Sequence, residues 1–252
     1  MAPKPFLVAD PSMDRLRREI EHHRGLARRN VEAIWGWESA AGRVRADRRA
    51  RLFVTSGGIR PGTRVLELGC GTGEFIRRVT LAGAQLVALD LSAELLAKAR
   101  EKVGDGVRLV RADAEVLPFP DGAFDVVYGC SVLHHLDLEV ALSEVRRVLR
   151  PGGRLVFSEP NLLNPQVLLM FKCKPLKPFF GVSPDEMAFT RRAVLRILGR
   201  LGFHSFMVRY FDFLHPSIPA RLLPLIGPWL ERLERVPIVR AISGSLLIHA
   251  ER

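Results

Sequence analysis

Four groups of residues in the middle of this chain have the types and spacing for chemistry on a small nucleoside-like ligand. The first is Glu67-Leu68-Gly69-Cys70-Gly71-Thr72-Gly73-Glu74. Glycines at alternate positions let a backbone turn tightly and approach a ligand with no Cβ in the way. The spacing is not that of a dinucleotide fingerprint. Counted from Gly69, G-x-G-x-x-G needs its third glycine at position 74, where Glu74 stands. A carboxylate there repels a pyrophosphate at a helix N-terminus, a place that otherwise favours anions. No Lys-Ser/Thr pair follows, so the turn is not a P-loop. The second group is Asp90-Leu91, with Asp90 17 residues after Gly73 and placed to accept hydrogen bonds from a ribose diol. The third is Asp113-Ala114, whose carboxylate can accept from an exocyclic amine such as adenine N6. The fourth is Cys130-Ser131, followed by His134-His135, either of which can act as a general base for a hydroxyl acceptor.

The elements that must hold these groups are legible around them. Apolar runs at 64–68, 85–90, 107–113, 124–130 and 153–159 read as strands. Helix-like spacing lies between several of them. Residues 72–83 carry Phe75, Ile76 and Val79 and stop at Gly83. Ser92 is placed to cap a helix over 93–102, and Asp137 one over 138–149, whose apolar members recur at spacings of three and four. Strands alternating with helices predict βαβ units and a parallel sheet with helices on both faces. In such sheets ligands bind beyond the carboxyl ends of the strands. All four groups follow strands, and the first three fit a phosphate-free adenosine ligand.

With these residues in hand, the chain resembles a class I S-adenosylmethionine-dependent methyltransferase. The resemblance rests on E-L-G-C-G-T-G, the acid at 90, D-A at 113–114, FDVVYGCSVLHHL and LRPGGRLVFSEP. It covers residues 60–160 closely and is similar to the small-molecule branch of that superfamily. The implied cofactor is S-adenosyl-L-methionine. By the resemblance Gly69, Cys70, Gly71 and Gly73 lie along its methionine part, with Glu67 beneath the loop. Asp90 and Leu91 hold the ribose, and Asp113 and Ala114 the adenine. Cys130 and Ser131 line the sulfonium region. The implied fold is a Rossmann-like α/β sheet of seven strands, mostly parallel with an antiparallel last strand and helices on both faces. The sequence supplies the missing parts: Thr190 caps a helix over 191–201, 203–213 reads as strand six and 244–251 as strand seven. The reading adds an N-terminal helical extension or lid at 1–58, a cofactor-binding core at 59–160, and a C-terminal half at 161–252 with acceptor-side insertions. A 30-residue insertion, 214–243, precedes the last strand as a cap, with its helix expected to begin near Pro228.

Glu67 sits in an apolar strand, and a buried carboxylate is costly unless bonded. It is therefore expected to accept N–H bonds from the glycine loop. In the flanks, residues 12–34 carry an apolar stripe from Met13 to Ile34 and read as one amphipathic helix. Trp35 and Trp37 are candidates for the acceptor pocket, and Arg43, Arg45 and Arg48 for the cofactor carboxylate. His22 and His23 read as a solvated helix face, and His215 as a second candidate base. No His/Cys/Asp cluster has metal spacing in the sequence, so no metal is expected.

The formal charge is +11, distributed unevenly: net +6 over residues 1–60, −2 over 61–160 and +7 over 161–252. The basic excess lies outside the cofactor core, in segments that mix it with large apolar side chains. These are 162–181 and the insertion around Trp229. Such segments suit a small-molecule or amphiphilic, lipid-like acceptor and peripheral membrane contact. Nucleic acid, the other partner that basicity suggests, is disfavoured. No NPPY-like run follows the fourth strand, no Pro-Cys is present for C5 attack, and no row of aromatics offers a stacking platform. A nucleic-acid methyltransferase and a non-catalytic cofactor-binding protein remain the competing readings. The N-terminus lacks the apolar stretch of a secretory signal. The three cysteines, Cys70, Cys130 and Cys173, fit a reducing, cytoplasmic compartment.

Overall fold

A computed structural model of the chain describes residues 11–177, 180, 182, 183 and 185–252. Among these residues the strands are β1 Arg64–Leu68, β2 Gln85–Asp90, β3 Arg108–Arg111, β4 Phe124–Cys130, β5 Leu149–Pro160, β6 His204–Phe211 and β7 Ser245–Glu251. The helices are α1 Pro11–Ala27, α2 Val31–Trp35, α3 Ala40–Gly57, α4 Ile76–Thr80, α5 Ala93–Val103, α6 Leu138–Val148, α7 Pro165–Lys172, α8 Arg191–Arg200 and α9 Leu223–Leu233. One sheet runs in the order β3-β2-β1-β4-β5-β7-β6. β1 to β5 pair in parallel, and β7 is antiparallel to both its neighbours. The chain moves outward from β1 to β3, then crosses back to β4 on the other side of β1. That reversal opens a crevice beyond the ends of β1 and β4, where ligands of such sheets bind.

The period of two along each strand builds a core on both faces. Leu66, Leu68, Val127, Leu155 and Phe157 face one way and pack with Leu142 and Val145 of α6 and Val194 and Leu198 of α8. Val65, Val126, Tyr128 and Val156 face the other way and meet Phe53 of α3 and Ile76 of α4. The seven-stranded α/β fold with its antiparallel last strand is the one expected. Ser92, Asp137 and Thr190 cap α5, α6 and α8 with their side chains, as their positions predict.

Three elements differ from the sequence reading, each for a local reason. The helix expected over 72–83 shrinks to α4, because Gly71 and Gly73 hold φ of +52° and +80° and keep 71–75 in turns. The single helix expected over 12–34 is two. Asn30 interrupts it and caps α2 by accepting the Ala33 N–H. The cap helix starts at Leu223 and runs through Pro228. Pro224 stands in its first turn, where the missing N–H has no helical partner to lose. Residues 1–10, the start of the extension expected over 1–58, lie outside the described residues, as do 178, 179 and 181 of the apolar-basic stretch and the side chain of Met13.

Candidate active site

The loop after β1 is shaped by its glycines. Gly69 has φ +63°, and a Cβ there would stand 2.5 Å from Val132, on the loop after β4. A Cβ on Gly71 would come within 3.1 Å of the Trp35 indole, so α2 lays an aromatic ring on the loop. Asp90, at the tip of β2, is 6% exposed. Its carboxylate accepts the Gly71 N–H at 2.8 Å and the Ser92 N–H at 2.9 Å. It thereby fixes the first loop to the second while keeping further lone pairs on each oxygen.

Glu67 behaves differently from expectation. It accepts from the Tyr128 hydroxyl at 2.6 Å, and the glycine loop sends its Gly71 N–H to Asp90 instead. The reason is strand parity: Glu67 and Tyr128 are register partners on adjacent strands and point to the same face. Burial pushes the Glu67 carboxyl up to about 8, against the Tyr128 bond and with the Asp90 charge. Burial also raises the thiols of Cys70 and Cys130, the latter to about 11, which leaves both as small apolar filler.

The loop after β4 is organised by Glu159, near the end of β5. One oxygen accepts the N–H groups of Val132 and Leu133 at 3.0 and 2.9 Å; the other lies 2.9 Å from His134 Nδ1. Ser131 is held at φ +55° by this turn, an uncommon conformation for a residue with a Cβ. His135 follows, and its carbonyl accepts from Arg15 of α1 at 2.7 Å.

α1 closes the far side. Glu19 Oε1 lies 2.6 Å from His135 Nδ1 and 3.5 Å from His23 Nε2. Glu186 reaches the same group: its Oε1 is 3.8 Å from His135 Nδ1 and its Oε2 is 3.6 Å from His134 Nε2. Burial works against charge on His135, yet the carboxylates of Glu19, Glu186 and Glu159 raise its pKa to about 9. For Glu19, burial favours the neutral acid, and the His135, His23 and His22 rings overcome it and bring the carboxyl to about 2.

These parts surround one cleft of about 1770 Å³, its open mouth included. Gly69, Cys70, Gly71, Asp90, Leu91, Asp113, Ala114, Cys130 and Ser131 line it, as do both His134 and His135. Glu67 and Gly73 do not: the first is buried against Tyr128 and the second packs toward Ala99 of α5. Trp35, Trp37 and Arg45 reach the cleft. Arg43 instead bonds the Glu38 carbonyl, and Arg48 pairs with Glu234. His215 stands outside it, bonded to Ser217 and Gln166. His22 and His23 are not a solvated face, because α1 turns them inward as half-buried cleft walls. Glu19, Arg49, Glu159 and Glu186 went unread in the sequence. Glu19 and His23 did leave one sign there, an acid and an imidazole four residues apart and so on one helical face.

Residues 66–157 match the methyltransferase domain family. A ubiquinone/menaquinone biosynthesis C-methyltransferase, UbiE, of Stutzerimonas stutzeri is 40% identical over 162 residues, covering 60% of this chain and 57% of that one. A malonyl-[acyl-carrier protein] O-methyltransferase of Pectobacterium atrosepticum is 42% identical over 120 residues, 44% of this chain and 47% of that one. The chain thus spans about half the length of these curated relatives. The crystal structure of an S-adenosylmethionine-dependent methyltransferase from Mesorhizobium loti superposes with a TM-score of 0.60 at 26% identity, covering 82% of this chain and 98% of that one.

Proposed function

We propose that this chain, which carries a class I S-adenosylmethionine-dependent methyltransferase domain at residues 66–157, moves the cofactor's methyl group to a hydroxyl of a small amphiphilic acceptor. One observation carries the reading: a single cleft is lined both by strand-end acids and by a set of large apolar side chains. Asp90, Asp113 and the glycine loop are suited to ribose, adenine and the methionine part. Val167, Met170, Phe171, Phe180 and Val182 offer apolar surface, with Phe171 5.7 Å from the His134 ring. The relatives are named as a C-methyltransferase of ubiquinone/menaquinone biosynthesis and an O-methyltransferase of malonyl-[acyl-carrier protein], and both support a small-molecule acceptor.

Methyl transfer from a sulfonium is an in-line displacement: the acceptor oxygen forms a bond to carbon as the carbon–sulfur bond breaks, and the hydroxyl proton leaves. Alignment of the two reactants supplies up to about 7–11 kcal/mol of the barrier. Residues 11–58, which bring Glu19, Trp35, Trp37 and Arg45 to the cleft, would serve as the lid that excludes water. Of the two histidines, His134 has the geometry of a proton acceptor. Its Nδ1 is oriented by the buried Glu159 carboxylate, and its Nε2 faces away from that bond. The test is transfer of labelled methyl from S-adenosylmethionine to a panel of extracted quinols, phenols and fatty acids. His134→Gln is expected to lower kcat by about 10²–10⁴ with little change in KM and to leave S-adenosylhomocysteine affinity unchanged. An equal loss in both would make the residue merely structural, and no transfer to any acceptor would remove the enzymatic reading.

The acceptor's amphiphilic character also fits the cap. Among the described residues no helix is long and apolar enough to cross a membrane. α9 nevertheless has no buried residue, and Leu225 and Trp229 are 67% and 63% exposed. Arg232 stacks on the Trp229 ring at 5.1 Å. We read this as a cytoplasmic protein whose cap rests on an anionic membrane face. Vesicles containing phosphatidylserine should pellet the wild type, with binding lost for Trp229→Ala. Equal pelleting by both would remove the cap from the contact.

A further inference from the structure

The histidine–carboxylate cluster beneath α1 is not explained by cofactor binding. Glu19, His23 and His135 present a carboxylate oxygen and two ring nitrogens within 4.8 Å of one another, and His134, His135 and Glu186 form a second such group. Their burial makes the electrostatics severe. Glu19, Glu159 and Glu186 are 5%, 1% and 6% exposed. The Lys177 ammonium nearby bonds the carbonyls of Ser183 and Glu186. Lys177 and the proton on His135 offset part of the charge of these three buried carboxylates, and a divalent ion taking the place of that proton would supply two charges at one point.

The second observation concerns unused atoms. Glu19 Oε1, His23 Nδ1 and His135 Nδ1 are all buried without a hydrogen-bond partner. Glu19 Oε1 and His135 Nδ1 approach each other as an ion pair, but out of hydrogen-bond alignment. Buried polar atoms are rarely left so; here Glu19 Oε1 and His135 Nδ1 face each other at 2.6 Å, and His23 turns its Nε2 to the same carboxylate oxygen at 3.5 Å. The third observation is Glu186: its Oε1 lies 3.8 Å from His135 Nδ1 and its Oε2 3.6 Å from His134 Nε2, so this buried carboxylate stands against both histidines.

We propose that Glu19, His23 and His135 bind a divalent first-row transition metal, with Glu186 within reach as a fourth ligand. Two imidazoles and a carboxylate suit zinc, iron or manganese and leave coordination positions open. Donors about 2.0–2.2 Å from a tetrahedral ion stand about 3.4 Å apart. The Glu19–His23 and His135–Glu186 separations, 3.5 and 3.8 Å, lie near that value, and the Glu19–His135 contact at 2.6 Å must open by about 0.8 Å to admit the ion. The ligands come from α1, the loop after β4 and the segment before α8, so the ion would also fasten the lid. Resting on the transferase reading, the open positions would take the acceptor's oxygen and favour its deprotonated form.

The test uses the full chain, stripped with chelator and dialysed against Zn²⁺, with retained metal counted by mass spectrometry. One equivalent is expected for the wild type and for His215→Gln, whose ring stands outside the cleft. Glu19→Gln and His23→Gln should each weaken Zn²⁺ by at least the 10–100-fold that loss of an outer partner costs. If these variants fail to fold, Co²⁺ added to the stripped wild type gives a second reading. A visible ligand-field spectrum of a low-coordinate nitrogen–oxygen site is expected, and its absence overturns the proposal. So does retention of zinc unchanged by both substitutions. Calorimetry with S-adenosylhomocysteine on the same preparations separates the two readings. Cofactor binding without zinc overturns the metal site alone; zinc without cofactor binding upholds the metal site and removes the transferase reading.

Discussion

Asp90→Ala should weaken S-adenosylhomocysteine binding by about a hundredfold, a loss of about 3 kcal/mol, measured by calorimetry at neutral pH. Two effects combine in it. The carboxylate accepts the Gly71 and Ser92 N–H groups at 2.8 and 2.9 Å, so truncation frees the glycine loop that must lie against the ligand. It also removes the acceptor proposed for the ribose diol. Hydrogen bonds to a charged group contribute about 1.5–3 kcal/mol each, so losing direct contact and loop order together reaches the stated size. The two can be separated. Asp90→Asn keeps one acceptor oxygen at nearly the same place and should recover part of the affinity. A 2′,3′-dideoxy analogue of the ligand should lose affinity in the wild type but little in Asp90→Ala. Unchanged affinity in Asp90→Ala would remove the ribose assignment altogether.

Why Asp90 was readable and Glu19 was not is a matter of how each reaches the cleft. Asp90, Asp113, Cys130 and Ser131 follow directly on strands. A parallel sheet brings strand ends to one edge whatever the details of packing, so locating the strands locates the residues. Glu67 shows the limit of that logic. Its strand was correct, but parity turned it to the Tyr128 face, one residue away from the loop it was expected to support. Glu19 and His23 belong to a helix whose docking is set by tertiary contacts, among them Leu26 packed with Leu95 and the Arg15–His135 carbonyl bond. A helical stripe shows that one face is buried, not which site it is buried against. The stripe alone therefore reads His22 and His23 as solvent-facing, whereas packing turns them inward. The proline-rich insertion failed for another reason. Pro228 disfavours a helix locally, and α9 forms around it all the same.

Asp212→Asn should destabilise the fold by about 3–5 kcal/mol, the cost of removing one partner from a buried ion pair, and should flatten its response to acid. Asp212 is 3% exposed and sits at the end of β6 with φ +74°. Its Oδ2 accepts from Arg45 Nε at 2.8 Å and from Arg49 Nη2 at 2.6 Å. Arg49 is 2% exposed and reaches Ser158 and Ser245 as well, so one carboxylate joins α3 to the ends of β5, β6 and β7. Burial alone would raise the Asp212 carboxyl; Arg49 and Arg45 outweigh it and hold it down at about 2. A carboxyl whose folded pKa is depressed contributes stability above its unfolded value of 3.8 and loses it as pH falls toward about 2. That difference is worth about 2 kcal/mol. Chemical denaturation at pH 7 and at pH 3 should show the wild type losing part of this amount, and Asp212→Asn starting lower with no loss from this site. The substitution costs more than acid does at pH 3, because a carboxyl held at about 2 is still largely ionised there, whereas the asparagine leaves the buried Arg49 charge uncompensated at every pH. Since Arg45 and Arg49 both line the cleft, and both lie over the Trp37 ring at 5.4 and 5.6 Å, the same change should loosen the lid. Cofactor affinity should then fall together with stability. Equal acid sensitivity in the two proteins would show that the arginines are neutralised elsewhere.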